Sequence, residues 1–266
     1  EMGQGLMVKV AQVVANEFGV GLDRVKIMAT STAKVPNTSP TAASSGSDLN
    51  GMAARDACLQ IKAGIAAHAS KGRCAPEDVR FEAGRVIADD LDQSWEEAVR
   101  SAYTARTKLF AAGYYATPKI HFDRNTFSGR PFLYYAYGAA VSEAIIDLTT
   151  GETRIVRVDI LHDCGTSLNP AIDRGQIEGG FIQGMGWLTS EELVFDDQGR
   201  LRTHAPSTYK IPTAGDRPGD FRTVSHLFNT YVGLGRREQA CSMARLATEL
   251  QPESPSSHYN LGNALL

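Results

Sequence analysis

Ile145-Ile146-Asp147-Leu148-Thr149-Thr150-Gly151-Glu152-Thr153-Arg154-Ile155-Val156 joins two β-branched runs across a short polar turn. The run before it covers 132–147 and the run after it 154–162, so Leu148-Thr149-Thr150-Gly151 predicts an antiparallel hairpin. A further run of the same character covers 109–115. Downstream, Asn169-Pro170 sets a capping side chain before a proline at the first helical position, which predicts a helix to about Leu188. That helix contains Gly175, Gly179, Gly180, Gly184 and Gly186. Each interior glycine costs about 0.5–1 kcal/mol relative to alanine, so this many imply close approach by another backbone or a ligand. Phe132, Tyr134, Tyr135 and Tyr137 alternate in part as strand residues and are expected in the core rather than on a stacking platform.

Toward the N-terminus, Leu6, Val10, Val13, Val14 and Phe18 recur at helical spacing up to Gly19, which can end a helix. Residues 25–29 read as a short buried strand, and 30–46 as a long loop of Ser, Thr, Pro and Asn. That loop is longer than a connector needs to be. Residues 47–70, rich in alanine, predict a long helix packed through small side chains. Ser94-Trp95-Glu96-Glu97 is a capping box, in which the serine and the second glutamate satisfy backbone donors reciprocally. Helices mixed with antiparallel strands make the expected class α+β, with mixed or antiparallel sheets packed against helices.

Hydrophobic residues form 42% of the 266-residue chain and charged residues 21%, which separates it from disordered compositions. A net charge of −3 argues against the broad basic surface that nucleic acid or an anionic bilayer requires. No run of about 18 apolar residues occurs, so neither a membrane nor a nucleic-acid partner is expected. Cys58, Cys74, Cys164 and Cys241 have no paired short spacing, so reduced thiols and a cytoplasmic location are the simple reading. The Asn37-Thr38-Ser39 sequon matters only in a secreted protein. Opening in mid-motif without a methionine at position 1 reads as a truncated chain.

Several conspicuous residues take the plainer interpretation. His68, His121, His162, His204, His226 and His258 lack the short spacing of metal ligands, so surface or core roles are expected for each. Glu191 and Glu192 are adjacent rather than set across a cleft, which argues against a glycosidase pair.

Three segments occur together in one order: Glu1-Met2-Gly3-Gln4-Gly5-Leu6, Pro36-Asn37-Thr38-Ser39-Pro40-Thr41-Ala42-Ala43-Ser44, and Gly175-Gln176-Ile177-Glu178-Gly179-Gly180-Phe181-Ile182-Gln183-Gly184. With Gly113-Tyr114-Tyr115-Ala116-Thr117-Pro118, Ser167-Leu168-Asn169-Pro170-Ala171 and Pro206-Ser207-Thr208-Tyr209-Lys210-Ile211-Pro212, they resemble the molybdopterin-binding region of the xanthine dehydrogenase branch of molybdenum hydroxylases. The resemblance spans residues 1 to about 220. It implies hydroxylation of a purine, hypoxanthine or xanthine, with oxygen drawn from water, and electron transfer to iron–sulfur and FAD segments held elsewhere. A molybdenum–pterin cofactor supplies the hard chemistry, while protein supplies placement and proton handling. In the family no protein residue of this region need ligate the metal.

The resemblance places cofactor contacts at Gln4, Ala42, Ala43, Ser44 and Gln183. Gln4 between two glycines at a helix start can offer a carboxamide beside backbone N–H groups facing an anion. Its plainer role is an exposed cap. Small residues at 42–44 let backbone amides reach a ligand, or else make a tight packing turn. Gln183 among glycines can bond a pterin, or its helix face can simply pack closely.

The pattern also breaks. Met7 stands where the family commonly has histidine, and the Gly-Glu-Pro-Pro segment carrying the family's general-base glutamate is absent, as are the upstream substrate-holding residues. Loss of such a base typically costs about 10²–10⁴-fold, so no catalytic residue is assigned and the chain alone is expected to be inactive. Beyond about 221, Leu227, Tyr231, Gly235, Ala240, Ala247 and Pro252, then His258, Leu261 and Gly262, follow tetratricopeptide spacing for one and a half repeats. The expected domains are a partial cofactor domain, 1–220, and a helical tail, 221–266. An alternative reading is an interaction module, a decayed enzyme domain whose repeat tail binds a protein partner.

Overall fold

The computed structural model describes residues 1–29, 31, 40–42, 44–216, 218 and 220–225. The chain divides into two compact units, Glu1–Leu133 and Tyr134–Leu266.

In the first unit, helix α1 (Leu6–Phe18) ends at Gly19, whose left-handed φ of 61° lets its N–H and that of Val20 return to the last carbonyls. Helix α2 (Gly46–Ser70) packs along it. Small residues set the approach: Leu6 lies against Gly46 and Val13 against Gly51. Glu17, only 14% exposed at its side chain, pairs with Arg55 at 2.9 Å and Lys62 at 3.4 Å, tying α1 to α2 electrostatically.

Strands β1 (Arg80–Glu82), β2 (Arg85–Ala88) and β3 (Leu91–Ser94) form an antiparallel sheet in that order. Helix α3 (Trp95–Thr104) follows directly, with the expected capping box formed: the Glu97 amide donates to Ser94 Oγ at 3.3 Å and the Ser94 amide to Glu97 Oε2 at 3.0 Å. The core between these elements comprises Ile65, Ala66, Ala69, Val79, Val86, Ala88, Leu91, Ala98 and Ala102. Trp95 sits between Phe18 and Phe81, with ring centroids 5.0 and 6.2 Å away.

Two expected strands in this unit do not form. Residues 25–28 follow a 3₁₀ turn at Leu22–Arg24 with no ladder, and Met28 is 65% exposed. A short apolar run becomes a strand only when a neighbour supplies a ladder, and no described strand lies beside this one. Residues 109–115 also lack a β partner, yet burial alternates from one residue to the next through 107–117. Their inward face lies on α2 instead. The Tyr114 amide donates to Asp56 Oδ2 at 3.1 Å, Gln60 Nε2 donates to the Ala112 carbonyl at 3.3 Å, and a methyl group on Gly113 would collide with the Ala53 carbonyl. Side chains of α2 thus replace ladder partners. A hairpin of β4 (His121–Asp123) and β5 (Ser128–Arg130) closes the unit.

In the second unit, β6 (Gly138–Ile146) and β7 (Thr153–His162) form the expected antiparallel hairpin, with a register irregularity at Glu143/Ala144. Asp147 Oδ1 accepts the amides of Thr149 and Thr150 at 2.7 and 3.2 Å, fixing the turn. Strand β8 (Asp220–Ser225) adds in parallel beside β7, and helix α4 (Pro170–Thr189) runs against β8. Asn169 caps α4 through the Ile172 amide at 3.2 Å. The described chain is therefore α+β with antiparallel and mixed sheets, as expected.

The expectation that Phe132, Tyr134, Tyr135 and Tyr137 are core is corrected: each is more than half exposed. They precede β6, which is itself exposed along its whole length, so this part of the chain offers no inward face for them to share. Tail residues from 226 onward, with the repeat spacing read at Leu227 to Gly262, lie outside the described residues. Among the described residues no helix is long and apolar enough to cross a membrane.

Candidate functional site

The glycines around Gln4 determine how α1 begins. Gly5, with φ 75°, is the N-cap and brings no side chain to the first turn; Gly3 also has a positive φ of 89°. Of the first-turn amides, Met7 donates to Glu1 Oε2 at 3.0 Å. Helix α2 opens nearby at Ser45, which also forms no side-chain cap. Gln4 Nε2 donates to the Thr41 carbonyl at 3.4 Å, and Gln4 Oε1 accepts the Met2 amide at 2.5 Å. The structure therefore brings Gln4 to the start of the 41–44 segment, although 37 positions separate Gln4 from Thr41. Ala42 and Ser44 are exposed; Ala43 lies outside the described residues. Two helix N-termini thus open beside a carboxamide and a stretch of small residues, a donor-rich surface suited to a neutral heterocycle bearing an anionic tail.

Gln183 belongs to the second unit and is exposed on α4. Gly175, Gly179, Gly180 and Gly184 have nothing within 4 Å of where a Cβ would stand. Packing among the described residues does not require them, and they leave backbone open to a ligand or another chain segment. Gly186 is different, because a methyl group there would meet Pro212 and Glu191. Of these five glycines, close packing therefore holds at Gly186 and open space at the other four.

An open cleft of about 800 Å³ runs beside Gln183, with Gly184 and Trp187 on one wall and Tyr209, Ile211 and Pro212 on the other. Tyr209 Oη donates to Glu191 Oε2 at 2.7 Å, a bond that pushes the Tyr209 hydroxyl above its ordinary range. Ser190 Oγ donates to the Lys210 carbonyl at 2.8 Å. Sequence reasoning set aside Glu191 because it was sought as one of a carboxylate pair. Its actual partner lies 18 positions away, a contact no local spacing signals.

Other chemistry is sparse. His68 Nε2 lies 2.8 Å from Ser101 Oγ in a surface recess with Glu97 and Arg100. Burial and then Glu17 push the Cys58 thiol up to about 11, which removes it as a nucleophile near neutrality. Among the described residues no group of three His, Cys, Asp or Glu side chains could hold a metal ion.

The sequence profile of the molybdopterin cofactor-binding domain matches residues 1–218, and the chain belongs to that family. Within it, the chain is 45% identical over 222 residues to the xanthine dehydrogenase/oxidase of Mus musculus and 46% identical over 229 residues to the xanthine dehydrogenase of Oryza sativa subsp. japonica. Each alignment covers 84% of this chain and 15% of the relative, so the chain spans about 15% of the length of the curated relatives it matches. Among solved structures, quinoline 2-oxidoreductase from Pseudomonas Putida 86 aligns with a TM-score of 0.68 at 29% identity, covering 85% of this chain and 29% of that one. Reconstituted CO dehydrogenase from Oligotropha carboxidovorans aligns with a TM-score of 0.68 at 25% identity, covering 85% and 28%.

The residues present fit a pterin cofactor. In the first unit Gln4 holds a carboxamide beside α1 with the Thr41 carbonyl adjoining it; in the second, taken by itself, the open glycine face of α4 leaves backbone accessible next to Gln183.

Proposed function

We propose that this chain supplies part of the cofactor cradle of a molybdenum hydroxylase of xanthine dehydrogenase type, acting on hypoxanthine or xanthine. The single observation supporting this most strongly is the contact between Gln4 and Thr41, which joins two of the three motif segments. Gln4 would bond the pterin edge through its carboxamide, Ala42, Ala43 and Ser44 would offer backbone amides and a hydroxyl, and Gln183 would bond from α4. When bound, the molybdenum–pterin group would supply the two-electron chemistry and pass electrons to iron–sulfur and FAD segments. The chain's own residues would orient the group.

The 266-residue polypeptide alone is inactive in this reading, because it contains no Gly-Glu-Pro-Pro segment to supply the general base. Expression with cofactor supply should yield chain that retains pterin by mass spectrometry yet does not oxidise hypoxanthine or xanthine. Chain that retains no pterin would refute the cradle; measurable turnover would refute inactivity.

A second reading concerns the tail expected from 221, taken here from 226 because 220–225 form strand β8 beside β7, and proposed as tetratricopeptide-like helices that bind a protein partner. It is supported by the repeat spacing and by the family match stopping at 218. A partner captured by the full chain and lost on deleting 226–266 would support it, and capture unchanged by the deletion would sink it. The cytoplasm is the proposed location, on the unpaired spacing of the cysteines.

A further inference from the structure

The segment 206–212 is fastened to the C-terminal end of α4 at three separate points. Tyr209 Oη donates to Glu191 Oε2 at 2.7 Å, Ser190 Oγ donates to the Lys210 carbonyl at 2.8 Å, and Pro212 fills the space that the absent side chain of Gly186 leaves. The segment is also braced internally. The amides of Thr208 and Tyr209 donate to the Ala205 carbonyl at 2.9 and 2.7 Å, and Lys210 Nζ donates to the Ser207 carbonyl at 2.8 Å. Gly186 is buried, whereas Gln183, one turn earlier on α4, faces the cleft whose opposite wall is Tyr209, Ile211 and Pro212.

We infer that Glu191 and Tyr209 form a latch that fixes the cleft wall opposite Gln183 and so sets the width available to a ligand there. Glu191 and Tyr209 both line the cleft, and their role in the latch is positioning: the bond between them acts through the wall that carries Tyr209, Ile211 and Pro212. Of the three fastenings, the Tyr209–Glu191 hydrogen bond is made between two side chains, so it can be removed from either partner and tested as a pair. Its charged acceptor makes it stronger than a neutral pair. A pterin bound at Gln183 would depend on the latch because a planar heterocycle is held by walls on both sides as well as by its edge. This last step rests on the cofactor reading above; the latch itself does not.

The test uses the full 266-residue chain with Tyr209→Phe, Glu191→Ala, Glu191→Gln and the Tyr209→Phe/Glu191→Ala pair. Amide hydrogen exchange is followed at 205–212, α4 and β7, and 6-hydroxymethylpterin is titrated by its own fluorescence. Loss of one hydrogen bond corresponds to an effect of up to about tenfold. Tyr209→Phe and Glu191→Ala should each speed exchange at 205–212 and weaken pterin binding by that order, with β7 unchanged. The paired variant should do no more than either single one. Glu191→Gln, whose carboxamide oxygen still accepts, should retain most of the protection. Unchanged exchange at 205–212, additive effects, or a uniform rise that includes β7 would each overturn the latch. Wild-type chain that binds no pterin would overturn the cofactor reading alone, because the exchange measurement decides the latch without any ligand.

Discussion

Gln4 reaches the carbonyl of Thr41, so the residue that precedes α1 is joined to the segment that leads into α2. The carboxamide is positioned from two directions, by this bond and by the Met2 amide on its oxygen. A ligand approaching the two helix starts would therefore meet a group already held in place.

Replacing Gln4 with alanine should reduce pterin retention while leaving the fold intact. One neutral hydrogen bond contributes about 0.5–1.5 kcal/mol, or roughly a tenfold weakening at most. Pterin content of purified chain, read by fluorescence after oxidation, checks this alongside the thermal midpoint. Equal content in Gln4→Ala and wild type would count against the contact.

Gly19→Ala should destabilise the first unit. Gly19 has a left-handed φ of 61°, and an added methyl group would collide with the Phe81 carbonyl. The backbone conformation alone costs about 1–2 kcal/mol in an L-residue, and forcing extra volume into a packed site typically adds about 1–3 kcal/mol. Urea unfolding followed by Trp95 fluorescence in a Trp187→Phe background should show the loss; a midpoint equal to that of the Gly19 parent would contradict the packing described.

The cap of α3 carries a pH dependence. Hydrogen bonds from Ser94 hold the Glu97 carboxyl below its ordinary value. A depressed carboxyl pKa stabilises the fold above the ordinary carboxylate range, and the contribution is lost as pH falls through the lowered folded value. Glu97→Gln should therefore lie below wild type in urea midpoint at neutral pH and converge with it in acid. A constant difference across that range would exclude the ionised cap as its source.

Cys58 and Cys164 should differ sharply toward alkylation. Burial raises the Cys58 thiol to about 11, whereas Cys164 is exposed. Native chain treated with iodoacetamide near pH 8 and mapped by mass spectrometry should be modified at Cys164 well before Cys58, which should be labelled only after denaturation. Rapid native labelling of Cys58 would contradict its burial.

Much of this fold is legible locally. Gly19, Ser94 with Glu97, Asn169 before Pro170, and the Asp147 turn all act through hydrogen bonds within a few residues of themselves. The helix ends and the β6–β7 hairpin accordingly form where the sequence predicts them. Strands are different, because their partners are remote. Residues 109–115 keep the period of a strand but lie on α2, and β8 pairs with β7 across more than half the second unit's described length. The candidate site divides in the same way: the motifs that contain Gln4 and Gln183 can be read directly, whereas the Gln4 to Thr41 bond cannot.

By itself, then, the sequence determined the helices, their caps, the hairpin and the motifs that mark the family. Short-range hydrogen bonding and the period of apolar residues are enough to specify each of them. Only the tertiary structure decided that 109–115 would use the side chains of Asp56 and Gln60 in place of a ladder, that the aromatics before β6 would be exposed, and that Glu191 would meet Tyr209. Each depends on which remote group first satisfies a backbone amide, an apolar face or a hydroxyl, and that is settled by packing of the whole unit rather than by neighbours in the chain.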